Sequence, residues 1–380
     1  MNTRKVFVSS VLLLIGMYHI LSSFSYAANV HTMERIRISE DGTHFVYATS
    51  GERFVPWGFN YDRDYKGRLL EDYMYDEWDT VLTHLAYMKQ LGGNAVRIHL
   101  QVEHFMLGPE EPNQTALQQL GKLLDAAQEI GIYVNITGLG CYLKDQSPDW
   151  YNNMNEAERW AVQARFWEAV AQVASGHPGV FCYDLMNEPI VGGSGDGWLP
   201  GDGLGGKHYV QRITLEPGER SREEIAKAWV DTLVGAIRKQ DSQTLITVGA
   251  IPWALTFPNA KPVFYSEAAS ENLDFVSVHF YPRGGEIEEA LTALAVYDIG
   301  KPLVIEEYFP MHCSFEEMNH FMDEAKDLVD GWFSFYWGMT IEEYAEKEEK
   351  TLGEAITMSW LEFLRDKGAK ITHGDADITN

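Results

Sequence analysis

Short apolar runs recur eight times along the chain, at 55–60, 94–100, 133–137, 180–186, 245–248, 275–281, 302–307 and 332–337. Amphipathic stretches separate them. Val81, Leu85, Met88 and Leu91 recur at helical spacing before Gly92-Gly93, and Leu117, Leu120, Leu124 and Ile130 do so before Gly131. A third helix is predicted over 160–174, and the capping boxes Ser221-Arg222-Glu223-Glu224 and Ser314-Phe315-Glu316-Glu317 open two more. The last covers 355–364, while 261–270 and 285–296 fill the remaining places less clearly. Strand alternating with helix means a parallel sheet, because parallel neighbours need a crossover between them. Eight such units over about 310 residues suit a closed (β/α)8 TIM barrel. The alternative, a doubly wound open sheet, would carry a Gly-rich phosphate turn after an early strand. The first run ends in Gly58-Phe59-Asn60-Tyr61, and no such turn follows.

Upstream, 36–39 and 44–47 flank Glu40-Asp41-Gly42-Thr43 and read as a β-hairpin. No linker or low-complexity tract appears, so 28–380 is expected to be a single domain, with the hairpin segment over 28–54 and the barrel over 55–366. Residues 1–27 read as a signal peptide: Arg4 and Lys5 precede a mostly apolar 6–21, and Ser25-Tyr26-Ala27 is a small-x-small cleavage site. The expectation is a secreted protein, extracellular or periplasmic, cleaved near Ala27. A membrane anchor is the competing reading, but the apolar run is short and broken by Ser9, Ser10, Gly16 and His19. No later segment is long and apolar enough to span a bilayer. The formal net charge of −26 argues against a nucleic-acid or anionic-membrane partner. Export permits disulfides, yet the three cysteines, Cys141, Cys182 and Cys313, leave at least one unpaired, and Cys182 reads as a small core residue. No zinc motif occurs, and no metal or cofactor is implied.

The fourth run continues into Asn187-Glu188-Pro189. Proline cannot donate to a ladder, so Pro189 ends the pairing and leaves Glu188 at the open end of a buried strand, where a barrel enzyme keeps an acid. Taken alone the tripeptide is equally a turn with a surface glutamate. A second apolar run, Pro302-Leu303-Val304-Ile305-Glu306-Glu307, also ends in carboxylates. Two carboxylates on opposite sides of a barrel mouth can flank one glycosidic bond, and a retaining mechanism needs them about 5 Å apart. In a regular strand Glu306 and Glu307 point to opposite faces, so one enters the site and the other is salt-bridged or solvated at the rim. Arg97 is a cation inside an apolar strand and needs a carboxylate partner, which the nucleophile could be. His279 and Tyr281 share one strand face. A tyrosine hydroxyl there can steady a carboxylate, although each also reads as a satisfied core polar group. Asn187 could bind a sugar 2-hydroxyl, and Trp337 could floor the sugar site or simply pack in the barrel. Trp150, Trp198 and Trp253 lie in strand-to-helix loops as sugar platforms or as packing.

In that order these residues resemble glycoside hydrolase family 5, in its mannanase- and cellulase-like branch, within a clan of retaining (β/α)8 glycosidases. The likeness runs from Ile36 to Leu364. It implies Glu188 as general acid/base and Glu307 as nucleophile, because the family's nucleophile precedes an aromatic residue, here Tyr308. It also implies Arg97, Asn187, His279 and Tyr281 as partners around them, and Trp337 as the aromatic floor. Two features depart from the family. Val134-Asn135-Ile136-Thr137-Gly138 lacks the His that many members carry after strand three, and Phe309-Pro310 stands where Gly usually follows the Glu-aromatic pair.

The resemblance implies hydrolysis of a β-linked polysaccharide or oligosaccharide, β-mannan or β-glucan, through a glycosyl-enzyme. The alternatives are a non-catalytic carbohydrate-binding barrel and a metal-dependent hydrolase. The latter would need a His/Asp cluster that His99 and His279 alone do not make. The sugar, exo or endo action and oligomeric state are not legible.

Overall fold

The computed structural model describes residues 33–143, 145–192, 197–200, 209–258 and 260–373. The leader read over 1–27 lies outside the described residues.

The strands form where expected. The barrel strands, in order, begin with Trp57–Asn60, Ala95–Gln101, Tyr133–Gly140 and Val180–Asp184. The fifth is the pair of segments Leu245–Thr247 and Gly249–Ala250; Val276–His279, Leu303–Glu307 and Gly331–Phe335 follow. Nine paired segments make up the sheet, and its two ends are the two halves of the fifth strand around Val248. One half pairs in parallel with the fourth strand and the other with the sixth. The sheet therefore closes on itself with eight strands, which excludes the open doubly wound alternative. Among the described residues, no helix is long and apolar enough to cross a membrane.

Each helix takes its ends from local chemistry. The helix Gln114–Ile130 starts at Asn113, whose side chain accepts from the N–H groups of Thr115 and Ala116, and stops at Gly131 with φ +78°, a left-handed cap that suits glycine. Its buried stripe includes Leu117, Leu120, Leu124 and Ala127. Both predicted capping boxes form, opening Arg222–Arg238 and Phe315–Glu324. The ill-defined stretch at 285–296 contains a helix, Ile287–Leu294. No helix or strand lies between 261 and 270. The last helix, Leu352–His373, is longer than its periodicity suggested.

The N-terminal hairpin has a third strand, giving an antiparallel sheet of Ile36–Ile38, Phe45–Tyr47 and Arg53–Phe54. It plugs the N-terminal end of the barrel. Ile36, Phe45 and Phe54 join Ala95, Phe181, Leu245, Phe275, Val304 and Phe333, from six barrel strands or their starts, in one buried cluster. The Phe45 ring lies edge-on to Phe181 at 5.1 Å and to Phe275 at 5.2 Å. Cys182 belongs to this cluster, and Cys141, Cys182 and Cys313 are all free thiols. With one end of the barrel sealed by apolar side chains, polar side chains collect toward the other.

Candidate active site

Above the plug the barrel interior is polar and buried: Asn60, Arg97, Asn135, Thr137, Asp184, Ser277, His279 and Glu306 are all sequestered. A charged interior group is tolerated only when its partners surround it. Arg97 meets that condition. One guanidinium nitrogen, Nη1, donates to Asn60 Oδ1 at 2.9 Å and to Glu307 Oε1 at 2.8 Å. The other, Nη2, donates to Asp184 Oδ2 at 2.8 Å and to Asn187 Oδ1 at 3.0 Å. Asp184 also accepts from Thr137 Oγ1 at 2.8 Å and from the Gly249 N–H at 2.7 Å. Strand five comes this close because residue 249 has no side chain. A Cβ there would stand 2.9 Å from His279 Nε2 and 3.0 Å from both Arg97 Nη2 and Asp184 Oδ2.

Glu188 lies past the paired end of strand four, which stops at Asp184 rather than at 186. The chain between still follows strand five: the Leu185 N–H donates to Thr247 and the Glu188 N–H to Gly249. Glu188 has φ +51°, a left-handed conformation that costs a non-glycine residue energy and that tends to persist where a site depends on it. Its side chain is one-quarter exposed, so one face of the carboxyl meets solvent.

His279 joins the two glutamates. Its Nδ1 is 2.9 Å from Glu188 Oε1 and 3.5 Å from Glu307 Oε1. One ligand atom from each of Glu188, His279 and Glu307 lies within 4.8 Å of the other two. Burial by itself would lower the imidazole pKa, but the Glu307 carboxylate and the hydrogen bond to Glu188 outweigh it and raise it. Glu307 shows the complement: burial pushes its pKa up, while His279, Arg97 and the Tyr281 hydroxyl, which donates at 2.8 Å, bring it below the ordinary value. Glu307 is thus held as an anion, its charge favours the protonated form of the imidazole, and a proton on Nδ1 makes the ring a donor to both carboxylates.

The expected division of Glu306 and Glu307 between two faces does not occur. Strand seven is not regular against strand six: Val278 pairs with Ile305, but His279 pairs with Glu307, so Glu306 is an extra residue in a bulge. The bulge turns both carboxylates inward. Glu306 is buried in the barrel rather than solvated at the rim; it accepts from Asn135 Nδ2 at 2.7 Å, with its Oε2 3.6 Å from Arg97 Nε.

Trp337 lies two residues past strand eight, half-buried. It stacks on Phe335 with centroids 5.4 Å apart and 6° between planes. Phe309 meets it edge-on at 5.4 Å, so the residue standing in place of the family's usual glycine braces this ring. Trp150 and Trp198 pack against the main core, whereas Trp253 stacks on the exposed Phe257. Much of the loop around Trp198 lies outside the described residues.

Sequence reasoning missed Asp184, Asn60 and Thr137, which complete the Arg97 shell. An Asp ending the buried Val180–Asp184 run was the available signal for the first of these. It also missed the group at the ends of strands one to three. There His99 Nδ1 is hydrogen-bonded to the Tyr142 hydroxyl. Burial, with Arg97 adding, drives the His99 pKa well down, so that ring is neutral. Asp62, beside Arg63 at 3.6 Å, has a pKa raised by burial against the pull of Arg63.

An eight-stranded barrel with paired carboxylates at its open mouth, one held ionised by Arg, His and Tyr, has the architecture of a glycoside hydrolase. The model of glycosyl hydrolase family 5, described as cellulase, matches residues 71–372, and the chain belongs to that family. No curated protein sequence matches it. Among solved structures it is similar to an exo-β-1,4-mannosidase from Opitutaceae bacterium strain TAV5, with TM-score 0.63 and 18% identity over 88% of this chain and 62% of that one. This chain therefore spans less than two thirds of the mannosidase's length. It is also similar to the endoglucanase catalytic domain of Thermobifida fusca, with TM-score 0.58 and 16% identity over 89% of this chain and 98% of that one. A β-mannanase from the blue mussel Mytilus edulis aligns with TM-score 0.57 and 15% identity over 90% and 98% of the two chains. Identities this low carry the fold alone.

Proposed function

We propose that this protein is a retaining glycoside hydrolase that cleaves a β-linked polysaccharide or oligosaccharide, β-mannan or β-glucan, by double displacement. The observation that carries this reading is the approach of Glu188 and Glu307 to within 4.8 Å, bridged by His279. Glu307, ionised and unable to turn because Arg97 and Tyr281 grip it, attacks the anomeric carbon and forms a glycosyl ester. As the glycosidic bond breaks, Glu188 gives its proton to the departing oxygen. The acid/base role requires Glu188 to start protonated; it then takes a proton from the water that attacks the ester, which frees the sugar and restores Glu307. His279 positions the acid/base, Asn187, held by Arg97, faces the 2-hydroxyl, and Trp337 floors the reacting sugar. With its leader removed near Ala27, the protein is proposed to act outside the cytoplasm, and its acidic charge suits a neutral glycan better than a nucleic acid.

The test is turnover of the chain lacking residues 1–27 on β-mannan, β-glucan, xylan and activated aryl β-glycosides. Glu307→Ala should abolish it, and azide should restore it with an α-glycosyl azide as product. Glu188→Ala with azide should give the β-azide. If no substrate turns over while wild type and both variants bind glycan equally, the protein is a carbohydrate-binding barrel instead.

A further inference from the structure

The double displacement uses Glu188 and Glu307 and leaves Glu306 without a role. Its position is nonetheless specific. The bulge in strand seven places it inside the barrel, fully buried, beneath the guanidinium of Arg97. Arg97 Nε and Glu306 Oε2 stand 3.6 Å apart; Nε has no hydrogen-bond partner among the described residues, and besides Asn135 the Glu306 carboxyl has the Ser277 hydroxyl beside it. That distance is an ion-pair contact but too long for a hydrogen bond. Every other guanidinium contact of Arg97 named above is between 2.8 and 3.0 Å.

Charge balance suggests why this one contact stays open. Arg97 supplies one positive charge, and His279, whose pKa the neighbouring carboxylates raise, supplies a second when protonated. Asp184, Glu306 and Glu307, if all ionised, supply three negative ones in a site with little water. One proton on Glu306 balances the cluster. We propose that Glu306 is a positioning residue that carries a proton in the active enzyme, seating Arg97 from below while leaving its charge to Glu307 and Asp184. This rests on the hydrolase reading above. When Glu306 ionises, Oε2 competes for the guanidinium and draws it away from Glu307 and Asn187. The nucleophile and the residue facing the 2-hydroxyl then lose their common anchor.

The groups facing Glu306 are Arg97 from strand two, Asn135 from strand three, Cys182 and Asp184 from strand four, Ser277 and His279 from strand six, Glu307 beside it, and Tyr265 from the loop between strands five and six. Burial and the repulsion of Asp184 push its pKa up to about 7, against the pull of Arg97, the Ser277 hydrogen bond and His279. Cys182 and Tyr265 are both raised by burial and stay neutral over the range concerned.

The experiment is the pH dependence of kcat/KM on a dinitrophenyl β-glycoside. Its leaving group departs without a proton, so the ionisation of Glu188 drops out of the profile. Wild type should lose activity above neutrality. Glu306→Gln, the neutral isostere, should keep kcat/KM within about threefold of wild type on the acid side and lose that alkaline limb. Superimposable limbs would overturn the proposal, and so would a uniform loss at every pH, which is what a merely structural role produces. Should Glu306→Gln fail to fold, an infrared titration of the wild-type carboxyl region decides. Glu71 and Glu103 are buried carboxyls raised to about 8 and about 7, so the titration is repeated in Glu71→Gln, Glu103→Gln and Glu188→Gln; a carboxylic acid band that vanishes near neutrality should survive in all three, and its absence from any of them refutes the assignment to Glu306. Absence of wild-type turnover on any substrate would strike the hydrolase reading itself, a different outcome from an active enzyme with an unchanged limb.

Discussion

Replacing Arg97 by Met removes the cation at the centre of the barrel and keeps most of its volume. Asp184 and Glu306, both fully buried, would be left facing Glu307 with no cation among them except His279. At 2.8 Å and an effective dielectric of about 20, the Arg97–Asp184 pair is worth about 6 kcal/mol. Removing one partner of a buried ion pair costs about 3–5 kcal/mol. The two figures are of one order, and either is a large share of the 5–15 kcal/mol or so that holds a typical domain together. The loss should depend on pH with a definite sign. Glu306 already has a folded pKa of about 7 against an ordinary 4.5, and loss of Arg97 raises it further. A carboxyl with a folded pKa above its unfolded one contributes stability below the unfolded value and forfeits it as pH rises toward the folded value. The Arg97→Met deficit should therefore be larger at pH 8 than near pH 4.5: near 4.5 Glu306 is neutral in both folded proteins, whereas at pH 8 only the wild type can ionise it beside Arg97, which adds about 1 kcal/mol. Urea unfolding at the two pH values measures this. In the double variant with Glu306→Gln, part of the deficit at pH 8 should return. Equal deficits at both pH values, or no recovery in the double variant, would show that the loss comes from packing and that the charge count is wrong.

Phe45→Ala empties the plug where that ring meets Phe181 and Phe275, and should cost about 3–5 kcal/mol in urea unfolding with KM unchanged, since the plug is at the end of the barrel away from the glutamates. Tyr281→Phe deletes one 2.8 Å hydrogen bond to the Glu307 carboxylate. A hydrogen bond to a charge is worth about 1.5–3 kcal/mol, so kcat should fall about 10- to 150-fold in steady-state assays, with the fold intact by circular dichroism.

The order of elements was legible in the sequence because barrel strands and helices answer to local rules. Each strand is an apolar run of the right length, and Asn113, Ser221 and Ser314 are helix caps whose partners lie within three residues. Glu188, Glu307, Arg97, Asn187, His279 and Tyr281 could be nominated because they end or interrupt apolar strands, and the structure gathers all six around one guanidinium and one imidazole. Tyr142 and His99, 43 residues apart, could not be paired that way. No local signal links two residues that meet only because neighbouring strands end at the same height.

Glu306 marks the boundary most clearly. The alternation of a regular strand sends it away from the site, and the sequence by itself says nothing else about it. Whether a strand keeps its register is decided by its neighbour, here by the pairing of His279 with Glu307, which inserts one extra residue and turns both carboxylates inward. Composition, periodicity and caps determined that this chain would close an eightfold barrel with glutamates at its mouth. Closure of the sheet, the bulge and the left-handed turn at Glu188 decided which of those groups share a proton, a cation and a few ångströms of space, because these depend on contacts between strands distant in the chain.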